Sequence, residues 1–434
     1  MLIEEIRVRG YKSLVDATLY VRPLTLLAGT NSSGKSSIMQ PLLLIKQTME
    51  APYQPAGALL LSGPHIQAET AGELVSRIEG NLNEMSVRVT GVNSLSKKEI
   101  GCEMIYESSG LNFSIAAQYS FGENLQKMLL EPNLEFEEIK KRFKKVLPFL
   151  EQSVQSKVVF DNGFLELNTL VSIVGNELEV QKTQFAFSIQ NALSTLFHIP
   201  GLRQGPGRNY RATFFENQLK GTFDLYAAGT ISQWQQQGNI EALTQLNDYL
   251  RRLGLTDSVT AKVKNASEVE LNVSRLPAGS KAKPRKADMV NIADVGIGVS
   301  QVLPILVALI AAQDGQIVYV EQPELHLHPR AQVAMAELLA EAANRGVRII
   351  VETHSSLLLL TVQTLIAEEK IKNTDVALHW FARDAKGATQ VKYVQPDEDG
   401  AYGEWPEDFG DVELKAQDAY LTAVGLRRFG KVAE

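Results

Sequence analysis

Residues 2–9, LIEEIRVR, alternate apolar and polar with a period of two, which predicts an edge strand; a second short strand is expected near Ala17–Val21. The pattern then changes. Leu24 to Ala28 is an unbroken apolar run, as a parallel strand covered on both faces requires. Beyond it Ile38, Leu42, Ile45 and Met49 recur at helical spacing, and Pro41 predicts a kink there because it removes one backbone hydrogen bond. Pro52, Pro55, Gly57, Gly63 and Pro64 break the chain into loops. From about 82 to 120, MSVRVTGV and LNFSIAAQYSF predict antiparallel strands, and more short strands are expected over 157–180. Helical spacing governs 183–197 and 211–253, with a stop at Gly254.

After residue 290 helices and strands alternate: helix 299–312, strand 316–320, helix 329–344, strand 347–352 and a further helix. That order predicts a parallel sheet whose nearest partner is the distant strand at 24–28. The fold class is therefore α/β, one parallel sheet interrupted by a long mixed β and helical insertion. The expected division is 1–75 and 287–385 for the two parts of the head, 76–286 for the insertion and 386–434 for a tail.

The junction between the apolar strand and the following helix carries the clearest chemistry. Gly29 and Gly34-Lys35-Ser36 fit G-x-x-x-x-G-K-[ST], in the order strand, glycine loop, helix. In such a loop the N–H groups from Gly29 through Thr30, Asn31, Ser32, Ser33, Gly34 and Lys35 to Ser36 and Ser37 wrap a triphosphate at a positive helix end. Lys35 would reach the β- and γ-phosphates and Ser36 would hold Mg²⁺, so ATP and Mg²⁺ are the expected cofactors. Downstream, QIVYV delivers Glu321 from a buried strand end, where a carboxylate can meet the same metal. Thr353 and His354 follow the next strand, with His354 facing the γ-phosphate as a sensor. DVGIGVSQ sets Gly296, Gly298, Ser300 and Gln301 before a helix, a second anion site remote from the first. One P-loop with a separate glycine-serine site predicts a head-to-tail dimer.

Other features change the picture less. Lys140, Lys141, Arg142, Lys144 and Lys145 mark a helix over 131–152; Glu137 and Glu138 precede Lys141 and Arg142 by four residues, favouring a solvated, paired face over a nucleic-acid patch. The loop HIPGLRQGPGRNYR holds Arg203, Arg208 and Arg211, and PAGSKAKPRK at 277–286 reads as a basic linker. His326 and His328 beside Glu324 are too sparse a set to predict a metal site. The chain has 434 residues, 44% hydrophobic and 21% charged, which suits a soluble two-part protein. Net charge of −7 excludes general attraction to nucleic acid but not a local groove. A single cysteine, Cys102, suits a reducing cytoplasm, and no apolar run is long enough to cross a membrane.

GTNSSGKSS, DVGIGVSQ, VEQPELHLHP and VETHSS together resemble the ABC-type ATPase heads of the SMC and overcoming-lysogenisation-defect (OLD) class. More narrowly, the chain is similar to bacterial single-head P-loop ATPases, many linked to anti-phage defence; GEWPEDF resembles their short tail. The resemblance implies signature positions at Gly298, Ser300 and Gln301, Walker B at Glu321 and the switch histidine at His354. Gln322 then stands where such heads carry the catalytic glutamate. An amide cannot accept a proton from water, so slow hydrolysis is expected unless Glu324 acts as base. Too little chain follows His354 for the metal-binding nuclease domain of OLD proteins, so any nuclease would be another polypeptide. The implied function is an ATP-dependent switch: a homodimer or higher homo-oligomer controlling an effector such as a nuclease or toxin, with DNA as a further partner. The alternative is a DNA-repair ATPase acting directly on DNA; a nuclease or a transporter ATPase fits less well.

Overall fold

The computed structural model describes residues 1–52, 58–78, 83–93, 96–122, 125–143, 147, 150, 153–161, 164–172, 178–183, 186–213, 219–275, 288–403, 418–424 and 427. The chain opens with β1 (Leu2–Tyr11), β2 (Leu14–Tyr20) and β3 (Leu24–Gly29). After the glycine loop comes a 3₁₀ turn, Ser36–Ile38, and only then α1 (Gln40–Glu50). Pro41 therefore lies in the first turn of α1, where its missing N–H is not needed, and the expected kink does not occur.

The middle of the chain continues with β4 (Glu84–Val92), β5 (Glu99–Ser108), β6 (Phe113–Gly122), β7 (Leu125–Leu130) and α2 (Phe136–Phe143). Next come β8 (Ser153–Asp161), β9 (Phe164–Ser172), β10 (Leu178–Thr183), α3 (Phe187–Ser194), β11 (Phe197–Ile199) and β12 (Tyr210–Arg211). They are followed by α4 (Ala227–Gln236), α5 (Ile240–Arg252), β13 (Val259–Asn265), β14 (Glu268–Ser274) and β15 (Met289–Asn291). The last part holds α6 (Ile297–Ala311), β16 (Ile317–Glu321), α7 (Pro329–Asn344), β17 (Arg348–Glu352), α8 (Ser356–Ala367), β18 (Val376–Arg383) and β19 (Thr389–Val394).

The sheet that organises the molecule runs β11-β16-β17-β3-β18-β19, parallel except for the last pair. Every residue of β3 is buried. Leu24, Leu26 and Ala28 face one core with α4 to α8, while Leu27 faces the other with α1 and the antiparallel strands. Two-sided covering is why this strand shows no alternation. The second sheet, β2-β1-β4-β5-β6-β7, covers that other face and is antiparallel. Two smaller sheets, β10-β9-β8 and β12-β14-β13 with β15 on β14, complete the fold.

Several expectations change. β1 pairs on both sides, so β2 and not β1 is the edge strand. The division at 75/76 cuts a single sheet, because β1 pairs with β4. The insertion lends β11 to the head sheet, and the 385/386 boundary falls inside the β18–β19 hairpin. The predicted helix 183–197 shrinks to α3, because Phe197-His198-Ile199 pair with β16. The helical stretch from 211 begins only at α4, and Gly254 ends α5 with φ +69. The helix expected over 131–152 is described as α2 alone; Lys144, Lys145 and the 277–286 linker lie outside the described residues, as does most of GEWPEDF. Arg142 pairs with Glu138 and with Glu131. Cys102 is buried, its thiol pushed up to about 12, which makes it inert. Among the described residues no helix is long and apolar enough to cross a membrane.

Candidate nucleotide site

The glycine loop is built by remote parts of the chain. Gly29, at φ +144, closes β3; a Cβ there would lie 2.1 Å from the Phe381 carbonyl oxygen of β18. Gly34, at φ +100, meets Thr389, whose Oγ1 would lie 2.6 Å from an added Cβ. Both positions therefore require glycine. The Thr389 hydroxyl donates to the Ser33 carbonyl at 2.7 Å and contacts Ser13 Oγ at 2.8 Å, so β19 and the β1–β2 turn hold the loop from behind. Ser32 takes φ +59. Lys35 is buried, and its Nζ donates to the carbonyls of Gly29 at 3.0 Å and Thr30 at 2.7 Å. Burial lowers its pKa, against the charges of Glu352 and Glu324.

In front of the loop lies a cleft of about 550 Å³, lined by Asn31 to Ser37 and by Gln322, Glu352 and His354. Lys12 and Arg383 add two cations that sequence reading missed. Only the GYKS turn after β1 hinted at the first. Ser33 Oγ is buried without a hydrogen-bond partner. The loop backbone, a buried lysine and added cations suit a triphosphate, so the residues present fit ATP.

The acids occupy adjacent strand ends. Glu321 and Glu352 are register partners on β16 and β17. Glu321 Oε1 lies 3.2 Å from His198 Nε2, and Oε2 accepts from the Gly201 N–H at 2.9 Å. Burial pushes its carboxyl up, but His198 and Gly201 bring it below the usual range. Glu352 accepts from Tyr319 Oη at 3.3 Å; burial raises its carboxyl, against the effects of Ser36, Lys35 and Tyr319. Sequence reading passed over Glu352, whose only signal was an acid just before Thr353-His354. Glu324 Oε1 accepts from the His354 N–H at 2.7 Å, and burial raises its carboxyl too. Gln322 sits at φ +47, its N–H donating to the Glu352 carbonyl at 2.7 Å. His354 is half-buried, and burial with the Lys35 charge lowers its pKa.

A buried polar chain runs on from Glu321. His198 Nδ1 lies 3.0 Å from His65 Nδ1; His65 Nε2 lies 3.1 Å from Glu50, which pairs with Lys46 at 2.8 Å. Burial lowers the His65 pKa, against the neighbouring Glu50 carboxylate.

The signature residues do not line this cleft. Gly296 and Ile297 are exposed at the start of α6, while Ser300 is buried and donates to the Ile297 carbonyl at 2.8 Å. Gln301 Nε2 donates to the Gln204 carbonyl at 2.9 Å. Arg203 is buried and donates to the carbonyls of Glu321 at 2.6 Å, Gln322 and Gln301. Thus one arginine of the glycine-rich loop ties α6 to the turn after β16. Arg208 pairs with Asp294 at 2.6 Å. His328 caps α7 ahead of Pro329, accepting from the Arg330 N–H. His326 has φ +65.

A glycine loop at a central parallel strand, with acids ending the next two strands, defines a P-loop ATPase head of ABC type. The chain belongs to the AAA ATPase domain family, which matches residues 1–359. No curated protein matches it. Among solved structures, an SMC head bound to the C-winged helix domain of ScpA has TM-score 0.50 and 11% identity, covering 91% of this chain and 98% of its own. An SMC head with an extended coiled coil, bound to the C-terminal domain of ScpA derived from Pyrococcus furiosus, has TM-score 0.48 and 10% identity, covering 97% and 99%. The SMC head of Thermotoga maritima has TM-score 0.41 and 11% identity, covering 91% and 99%. The first shares the head architecture; at such identity none speaks to partners.

Proposed function

We propose that this ATPase is an ATP-dependent switch in a bacterial anti-phage defence system: two heads pair around ATP and Mg²⁺, and the insertion relays that state to an effector such as a nuclease or toxin. Lys35 binds phosphate, Ser36 and one strand-end acid serve Mg²⁺, and His354 senses the γ-phosphate. The exposed start of α6 at Gly296 and Ile297, remote from its own cleft, faces a partner's nucleotide. The reading places the protein in the cytoplasm. Direct work on DNA gains no support from Arg203, which is buried, or from Arg142 and Arg208, which are paired.

The observation that carries the reading is Gln322. Its amide borders the cleft where a base would stand, and Glu324 is turned onto the His354 backbone. A positioned base contributes about 10²- to 10⁴-fold, so wild-type turnover should fall well below the roughly 1 to 10³ s⁻¹ of ordinary enzymes. Single-turnover phosphate release from wild type, Gln322→Glu and Glu324→Gln tests this. Gln322→Glu should accelerate release by about tenfold or more, while Glu324→Gln changes little. Brisk wild-type turnover, silenced in Glu324→Gln, would overturn the slow switch and favour a motor.

A further inference from the structure

We infer that Glu352, at the end of β17, is the carboxylate that shares the nucleotide's Mg²⁺ with Ser36, and that Glu321 instead positions the 198–203 loop. The inference rests on the ATP–Mg²⁺ reading of the cleft and assigns its metal-side acid. β17 lies between β16 and β3, so a side chain from its end is one strand nearer the P-loop than Glu321. Glu352 borders the cleft together with Ser36, whereas Glu321 does not line it. Both Glu321 oxygens are occupied, one by His198 and one by the Gly201 N–H. His198 is itself held by His65 and by stacking on Tyr319, with ring centroids 5.3 Å apart. Moving Glu321 onto a metal would break that buried chain, whereas Glu352 is already in place.

The chemistry agrees with the placement. In this loop type the serine hydroxyl is the protein's own ligand to Mg²⁺. A carboxylate lining the same cleft as that hydroxyl is placed to hold the metal's waters. Mg²⁺ keeps several waters and takes one or two carboxylates besides the phosphates. It needs no cage of three acids, and the described residues offer none. Glu352 and Glu321 also repel each other, with Lys35 opposing at Glu352 and His198 at Glu321, and a divalent cation there would relieve that repulsion.

The test measures metal affinity and not turnover. The full chain with a non-hydrolysable ATP analogue is titrated with Mn²⁺, free Mn²⁺ being read by electron paramagnetic resonance; ATP binding in EDTA is measured by calorimetry. Glu352→Gln should weaken Mn²⁺ binding by about 10- to 100-fold and leave ATP binding in EDTA little changed. Glu321→Gln should leave Mn²⁺ affinity intact. Unchanged affinity in a folded Glu352→Gln overturns the assignment. Loss in Glu321→Gln, alone or together with the other variant, overturns it as well, so the second variant decides should the first fail to fold. A wild type that binds no ATP in either buffer would bring down the cleft reading itself, through a different arm of the experiment.

Discussion

Lys35 shows how far single residues were legible. Its place in G-x-x-x-x-G-K-[ST] marked it as a phosphate cation, and it borders the cleft, buried and aimed at the loop carbonyls. Hydrogen bonds to charged groups are worth about 1.5–3 kcal/mol each, so Lys35→Ala should weaken ATP binding by roughly a hundredfold or more. Fluorescence titration with ATP checks this, and an unchanged affinity would remove the loop from the binding site. Glu352 and Arg203 were not legible in the same way. Two acids at strand ends look alike until the sheet order shows which is nearer the serine. An arginine among glycines suggests an anion, but Arg203 spends its donors on three main-chain carbonyls. Those contacts join residues about a hundred positions apart, beyond the reach of any local pattern.

At the scale of elements, long apolar runs were read well and short or borrowed pieces badly. β3, β16 and β17 announce themselves because burial on both faces forces continuous apolar sequence. β11 is three residues long and looked like the last residue of a helix and the start of a loop; only pairing with β16 makes it a strand. β18 carries a buried polar residue, His379, that testifies to its place beside β3. Its Nε2 faces the Tyr20 carbonyl oxygen at 2.9 Å, and its Nδ1 is buried without a hydrogen-bond partner. Protonation would strand a charged N–H there. Burial accordingly lowers the His379 pKa from 6.5 to about 4. Between those values the unfolded chain binds the extra proton, so this group leaves stability intact above pH 6.5 and erodes it as pH falls toward 4. The full penalty is roughly 3 kcal/mol at 1.36 kcal/mol per pH unit. Thermal melts should show wild type losing Tm more steeply than His379→Gln across that window, and parallel curves would refute the assignment.

The whole molecule was legible in outline, as one P-loop sheet split by an insertion, because Leu24–Gly29 had no partner until β17. Its seams were not, since β1 pairs with β4 and β11 joins the head sheet across long separations. The last question at this scale is pairing between heads. A signature serine facing a partner's phosphate should be open, yet Ser300 is buried against Ile297, so arginine at 300 would damage the start of α6 itself. Ile297 is the better probe: it is 45% exposed on the first turn of α6, and Leu202, on the loop between β11 and Arg203, is 94% exposed. Apolar side chains left open around a site are suited to being covered by a second copy. With ATP and Mg²⁺, light scattering should show wild type gaining mass, while Ile297→Arg stays at its nucleotide-free mass. ATP affinity of the variant should persist, because Lys35 and Ser36 lie in a cleft that Ile297 does not line. Loss of both properties would mean a folding defect, which a melting curve detects. If wild type keeps one mass with and without nucleotide, ATP does not drive association; the heads must then close within a constitutive assembly or act singly.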